Sequence, residues 1–71
     1  MNNFKKHLIN QNDSVRNALK KLDDIESNGI LFLVNEELTL IGSLTDGDIR
    51  RGFLSGKNMN SKLIDFIQKN P

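Results

Sequence analysis

The tightest constraint on this chain is a change of hydrophobic period inside one short stretch, Ile41-Gly42-Ser43-Leu44-Thr45-Asp46-Gly47-Asp48-Ile49-Arg50-Arg51-Gly52. Up to Leu44 the residues follow a strand pattern, and beyond Gly47 the apolar positions Ile49 and Phe53 recur at helical spacing. A period that changes so abruptly requires a strand to run almost directly into a helix. Such a junction sets Thr45, Asp46 and the first free helix amides at one edge of a sheet, where a phosphate or a ribose is readily held. The same residue types also serve a plainer purpose, because Asp46, or Thr45 in its place, caps the helix and Asp48 suits its first turn.

The other elements take their places around this junction. Residues 1–6 read as a polar, basic lead-in, and His7-Leu8-Ile9 as a short edge strand. The cluster Asn10-Gln11-Asn12-Asp13-Ser14 is a turn that offers Asp13 or Ser14 as an N-cap. Val15, Ala18, Leu19, Leu22 and Ile25 then form one apolar helical face, with Ser27-Asn28-Gly29 ending the helix through a left-handed Gly29. The run Ile30-Leu31-Phe32-Leu33-Val34 predicts a strand buried on both faces, and Asn35-Glu36-Glu37 a turn into a return strand over residues 38–44. Gly42 leaves that strand bare at one point, open to close approach. A helix over residues 47–54 directs Ile49, Phe53 and Leu54 inward, eased at its entry by Gly47 and stopped at Ser55-Gly56. After a loop over 57–60, Ser61 caps a last helix over 62–68, with Leu63, Ile64, Phe66 and Ile67 on its apolar face and Asn70-Pro71 breaking it.

The predicted class is α+β, or α/β-like: a small three-stranded sheet with two main helices on one face, which leaves the other side short of cover. A chain of 71 residues buries only about 60% of its unfolded surface. With 37% hydrophobic residues and neither Trp nor Tyr, its core supplies no more than ~3–5 kcal/mol alone, so a second copy or a covalent neighbour is expected. No Cys and one His exclude disulfide or metal support. A net charge of +1 with basic residues scattered along the chain steers it towards neither nucleic acid nor lipid. No apolar run approaches the length of a membrane span, and the N-terminus lacks the apolar stretch of a signal peptide, so a cytoplasmic location is expected. Asp46 and Asp48 are close carboxylates, yet no nucleophile stands beside a base, and no independent catalysis is expected.

Three segments carry a resemblance to the CBS domain, the regulatory motif first described in cystathionine β-synthase. They are Asp13-Ser14-Val15 leading into Ala18-Leu19 and Leu22, the strand after Gly29, and the junction with its Gly-any-apolar-Ser/Thr-any-any-Asp pattern. The match covers residues 7–68, leaving 1–6 as lead-in and 69–71 as a tail or the start of a linker to a further repeat. The wording Leu-Thr-Asp-Gly-Asp-Ile-Arg-Arg is similar to CBS segments attached to bacterial sugar-phosphate nucleotidyltransferases. CBS motifs usually occur in pairs, so this chain resembles the first repeat of such a pair.

The resemblance implies a non-catalytic module that pairs with a second CBS motif, in a homodimer or a following repeat, and binds an adenosine nucleotide such as AMP or ATP in the cleft. No cofactor is implied. Thr45 would then contact phosphate and Asp48 would accept from ribose hydroxyls, which agrees with their chemistry. Gly42, Arg50 and Ser14 complete the expected ligand set, with Ser14 better suited to capping. Either Arg50 or Arg51 would neutralise phosphate, pair with Asp46 or face solvent. His7-Leu8-Ile9 lies where family members hold the base with backbone, and the edge of the Ile30–Val34 run would wall an adenine ring. Asp48→Ala is expected to abolish binding with little change in melting temperature. A purely structural pairing module, held by Leu19, Leu22, Phe53, Leu54, Leu63, Phe66 and Ile67, is the alternative, as is a segment whose activity is that of its parent transferase.

Overall fold

The computed structural model describes residues 3–25 and 29–67. A 3₁₀ turn (Asn3–His7) leads into β1 (Leu8–Asn10), followed by α1 (Val15–Asp24), β2 (Ile30–Val34), β3 (Leu40–Thr45), α2 (Asp46–Leu54) and a 3₁₀ turn (Leu63–Asp65). The strands form one mixed sheet in the order β1-β2-β3, with β1 parallel and β3 antiparallel to the central β2. The class is α+β, as expected. No helix among the described residues is long and apolar enough to cross a membrane.

Alternation along the strands decides what the sheet buries. Ile9 pairs with Leu33, and Leu44 with Leu31, so these four side chains share one face, and all are essentially fully buried. Against them α1 lays Val15, Ala18 and Leu22, α2 lays Ile49, and the C-terminal segment adds Leu63 and Phe66. Each of these Val, Leu, Ile and Phe side chains contributes about 1.5–3 kcal/mol by leaving water. The opposite face carries Leu8, Phe32, Val34 and Leu40, and with Leu38 these line an open apolar basin of about 350 Å³. Thus β2 is covered on one face, where the continuous apolar run predicted two.

Several boundaries differ from the sequence reading, each for a local reason. His7 belongs to the 3₁₀ turn, and the strand begins at Leu8. The return strand starts at Leu40 because Leu38 adopts a left-handed conformation, with φ of 64°. Asn35 organises that turn: its side-chain oxygen accepts from the amides of Glu37 and Thr39, each at 2.9 Å. Gly29 is not left-handed; α1 closes instead at Ile25, whose amide donates to the Lys21 carbonyl. Ser27 and Asn28 lie outside the described residues. The last helix is reduced to the turn at Leu63–Asp65, capped by no side chain, while the Ser61 hydroxyl accepts from the Asn58 amide. Its expected end at Gln68 and the Asn70-Pro71 break also lie outside the described residues.

Helix α2 ends where its composition says it should. Gly56 takes φ of 106°, its amide donates to Phe53 at 3.1 Å, and the Lys57 amide donates to Gly52 at 2.9 Å. This double closure is the Schellman arrangement, and it turns the chain back beneath the helix. Phe53 and Leu54 do not point inward as predicted: they are 39% and 83% exposed. Leu22, Leu63 and Phe66, expected on a pairing surface, are instead part of the core.

The returning segment lays the Phe66 ring directly on α2 at Gly52, edge-on to Phe53 with ring centroids 5.8 Å apart. A Cβ at position 52 would overlap the Phe66 ring, so the buried glycine is required by close approach. Gly52→Ala is therefore expected to destabilise the fold by about 1–3 kcal/mol through overpacking, although alanine favours helices. Urea denaturation measures this, and the double variant Gly52→Ala/Phe66→Leu should recover part of the loss. Equal stability of Gly52→Ala and the native chain would contradict the packing described.

Candidate functional site

The β3–α2 junction is built by Thr45, which belongs to both elements. As the last strand residue it pairs with Ile30, and as N-cap its hydroxyl accepts from the Asp48 amide at 3.1 Å. The Asp48 carboxylate returns the favour: Oδ2 accepts from the Thr45 amide at 2.9 Å. Two helix-end donors are thereby satisfied reciprocally. Asp46, expected as the cap, is instead the first helical residue, and its carboxylate is 65% exposed. Thr45 wins because a strand residue already has the extended backbone that an N-cap requires, here φ of −121° and ψ of 169°.

The two arginines divide between the two aspartates. Arg50 pairs with Asp46 at 3.3 Å on the surface, a pair worth little because both side chains are largely solvated. Arg51 donates to Asp48 Oδ1 at 2.7 Å, and here only the arginine is exposed: its side chain is 66% accessible, that of Asp48 3%. Asp48 is the buried charged residue of the domain among those described. Gly47 shows no left-handed backbone, so it does not ease a tight turn as predicted. Its missing side chain leaves space beside the Arg51 guanidinium, whose Nη1 would lie 3.3 Å from a Cβ there.

The rest of the predicted ligand set separates in space. His7 lies across β2 from the junction: its Nδ1 donates to the Ile30 carbonyl at 2.8 Å, and Ile30 is the strand partner of Thr45. A carbonyl can only accept, so this bond places the ring proton on Nδ1. Ser14 lies at the far end of the sheet, past Asn10 of β1, and its hydroxyl caps α1 by accepting from the Asn17 amide at 3.0 Å. It lines a separate polar cleft of about 570 Å³ with Gln11, Asn60 and Lys62. Gly42 pairs with Leu33 on the helix-covered face, about 10 Å along β3 from Thr45. Thr45, Asp48 and His7 thus lie towards one end of the sheet, with His7 on the β1 side of β2 and Thr45 on the β3 side, whereas Ser14 and Gly42 lie elsewhere. Arg51 takes the position beside Asp48, and Arg50 stays on Asp46. The helical spacing of Asp48 and Arg51, three residues apart, is the signal that assigns this partner.

Among the described residues no group of three or more His, Cys, Asp or Glu is placed to hold a metal ion. No family model matches the chain. Two curated proteins of Helicobacter pylori, strains 26695 and J99, each named "Uncharacterized protein", are similar to it, with 36% and 34% identity over 64 residues. In each case the match covers 90% of this chain and 19% of the relative, so the chain spans about a fifth of the length of these proteins.

Burial of Asp48 changes what its removal does. Asp48→Ala leaves the Thr45 amide without its acceptor and empties a buried position, an expected loss of about 1–3 kcal/mol. Asp46→Ala should change stability by under ~0.5 kcal/mol, since it removes an exposed pair. Thermal melts of both variants test the contrast, which for a domain this small spans several degrees. Equal melting temperatures for the two would contradict the geometry.

Proposed function

We propose that the chain is a non-catalytic regulatory module of the CBS type, which pairs with a second CBS motif and binds an adenosine nucleotide, AMP or ATP, in the shared cleft. The observation that supports this most is the junction itself, where the Thr45 hydroxyl, the start of α2 and the Asp48 carboxylate meet at one end of the sheet. A phosphate suits the hydroxyl and the helix start, and a ribose diol suits the carboxylate. One chain offers half of such a cleft, and the second motif closes it over the uncovered sheet face of Leu8, Phe32, Leu38 and Leu40. The parent protein, on this reading, is a cytoplasmic sugar-phosphate nucleotidyltransferase, and the module biases it by binding nucleotide more tightly in one arrangement of the pair.

Calorimetric titration with AMP, ADP, ATP and S-adenosylmethionine tests the ligand. Binding of at least one adenosine nucleotide is expected; no heat from any of them, with the chain paired by light scattering, would sink this half of the reading.

A second reading, pairing without a ligand, is favoured by one specific observation. Thr45 and Asp48 satisfy each other in a capping box, which accounts for both without a ligand. Either way the apolar face is the pairing surface, and Leu38 isolates its contribution. A leucine at φ of 64° is strained by about 1–2 kcal/mol, a penalty that asparagine largely avoids. Leu38→Asn is therefore expected to hold or raise the melting temperature of dilute chain while weakening association in sedimentation experiments. Unchanged association would remove this face from the interface.

A further inference from the structure

We infer that Arg51 is the movable cover of the Asp48 carboxylate, and that this cover makes the site select phosphorylated ligands over the corresponding nucleosides. The inference rests on the adenosine-nucleotide reading and assigns that site its discrimination.

Both oxygens of Asp48 are engaged. Oδ2 holds the Thr45 amide, a bond that fixes the junction between strand and helix. Oδ1 holds Arg51 at 2.7 Å, and the carboxylate beneath is 3% exposed. A ribose diol reaches this carboxylate only by displacing a group already held there, and the Thr45 amide and Arg51 differ in how readily they leave. The Thr45 amide is main chain, held by the strand and the helix cap together, and cannot leave without unmaking the junction. Arg51 is the partner that can move: it is attached by a flexible stem and is 66% exposed. Its guanidinium lies beside position 47, where the absence of a Cβ gives it room.

Charge then decides which ligands succeed. Hydroxyls offered to Asp48 make charge-assisted bonds of their own but bring no positive charge, so the ion pair to a carboxylate only 3% exposed is lost without replacement. A nucleoside therefore displaces Arg51 at a net loss. A nucleotide carries its own destination for the freed guanidinium, because a phosphate accepts the planar fork in two parallel bonds. Arg50 lies on the outer side of the first turn, at 3.3 Å from Asp46, while Arg51 is the arginine on the Asp48 carboxylate.

The test is calorimetric titration of the native chain, Arg51→Ala and Arg51→Lys with AMP and with adenosine, with circular dichroism as a check on folding. The native chain should prefer AMP over adenosine by at least about tenfold. In Arg51→Ala adenosine should bind more tightly than to the native chain, and the preference should fall to within about threefold. Arg51→Lys, which keeps the charge without the fork, should fall between. An AMP-to-adenosine ratio unchanged in both variants overturns the role of Arg51 while leaving nucleotide binding intact. Binding of neither ligand to any of the three proteins overturns the nucleotide reading, and this one with it. Should Arg51→Ala fail to fold, the arginine Nε–H resonance of the native chain decides. It should shift on saturation with AMP, and no shift overturns the inference.

Discussion

The reciprocal bond between Thr45 and Asp48 is the constraint on which the rest of the domain depends. It joins two elements with no loop between them, so the direction of α2 is set by the last pair of the β2–β3 ladder. Ile49 follows one residue later and is carried into the core facing Leu44 and Leu31, while Asp46 and Arg50 are carried outward. Had Asp46 been the cap, the helix would have begun one residue later and turned by roughly 100° about its axis. Ile49 would then have faced elsewhere. A single hydrogen-bonded cap of about 1 kcal/mol thus selects which side of α2 is buried, an effect much larger than its own energy.

Much of this was legible in the sequence because it is local. The apolar face of α1, the strand at Ile30–Val34, the turn at Asn35 and the change of period at Thr45 are each written within a few neighbouring residues. The α+β class follows from their order. What was not legible depends on tertiary contacts. Nothing near Phe53 or Leu54 says that they face outward; that follows from Gly52 and the returning Phe66, which occupy the space beneath α2. The continuous apolar run of β2 announces burial but cannot state that one of its faces is covered from within the chain and the other is not.

The candidate site shows the same division. Its residue types and their spacing along α2 were apparent, whereas the mutual bond of Thr45 and Asp48 was not, since charge alone already suits Asp48 to the first turn. Two members of the expected set lie apart from Thr45 because sheet topology, not local sequence, decides which strand ends coincide. A parallel β1 carries the chain from the Thr45 end to the opposite edge before α1 begins, so Ser14 is removed by the length of the strand. Antiparallel pairing with β2 sets Gly42 against Leu33, beneath the helices. His7 is tied to the same end of the sheet as Thr45, on the far side of β2, by its bond to the Ile30 carbonyl.

The uncovered face of the sheet has a thermal consequence. Water over Leu8, Phe32, Leu38 and Leu40 raises the heat capacity of the open state, and whatever covers that face removes the contribution. The attraction it exerts is accordingly largely entropic near room temperature and fades on cooling. The helix-covered face is apolar too, so the same dependence acts there on folding itself. Cooling therefore weakens association through one side of this sheet and packing through the other.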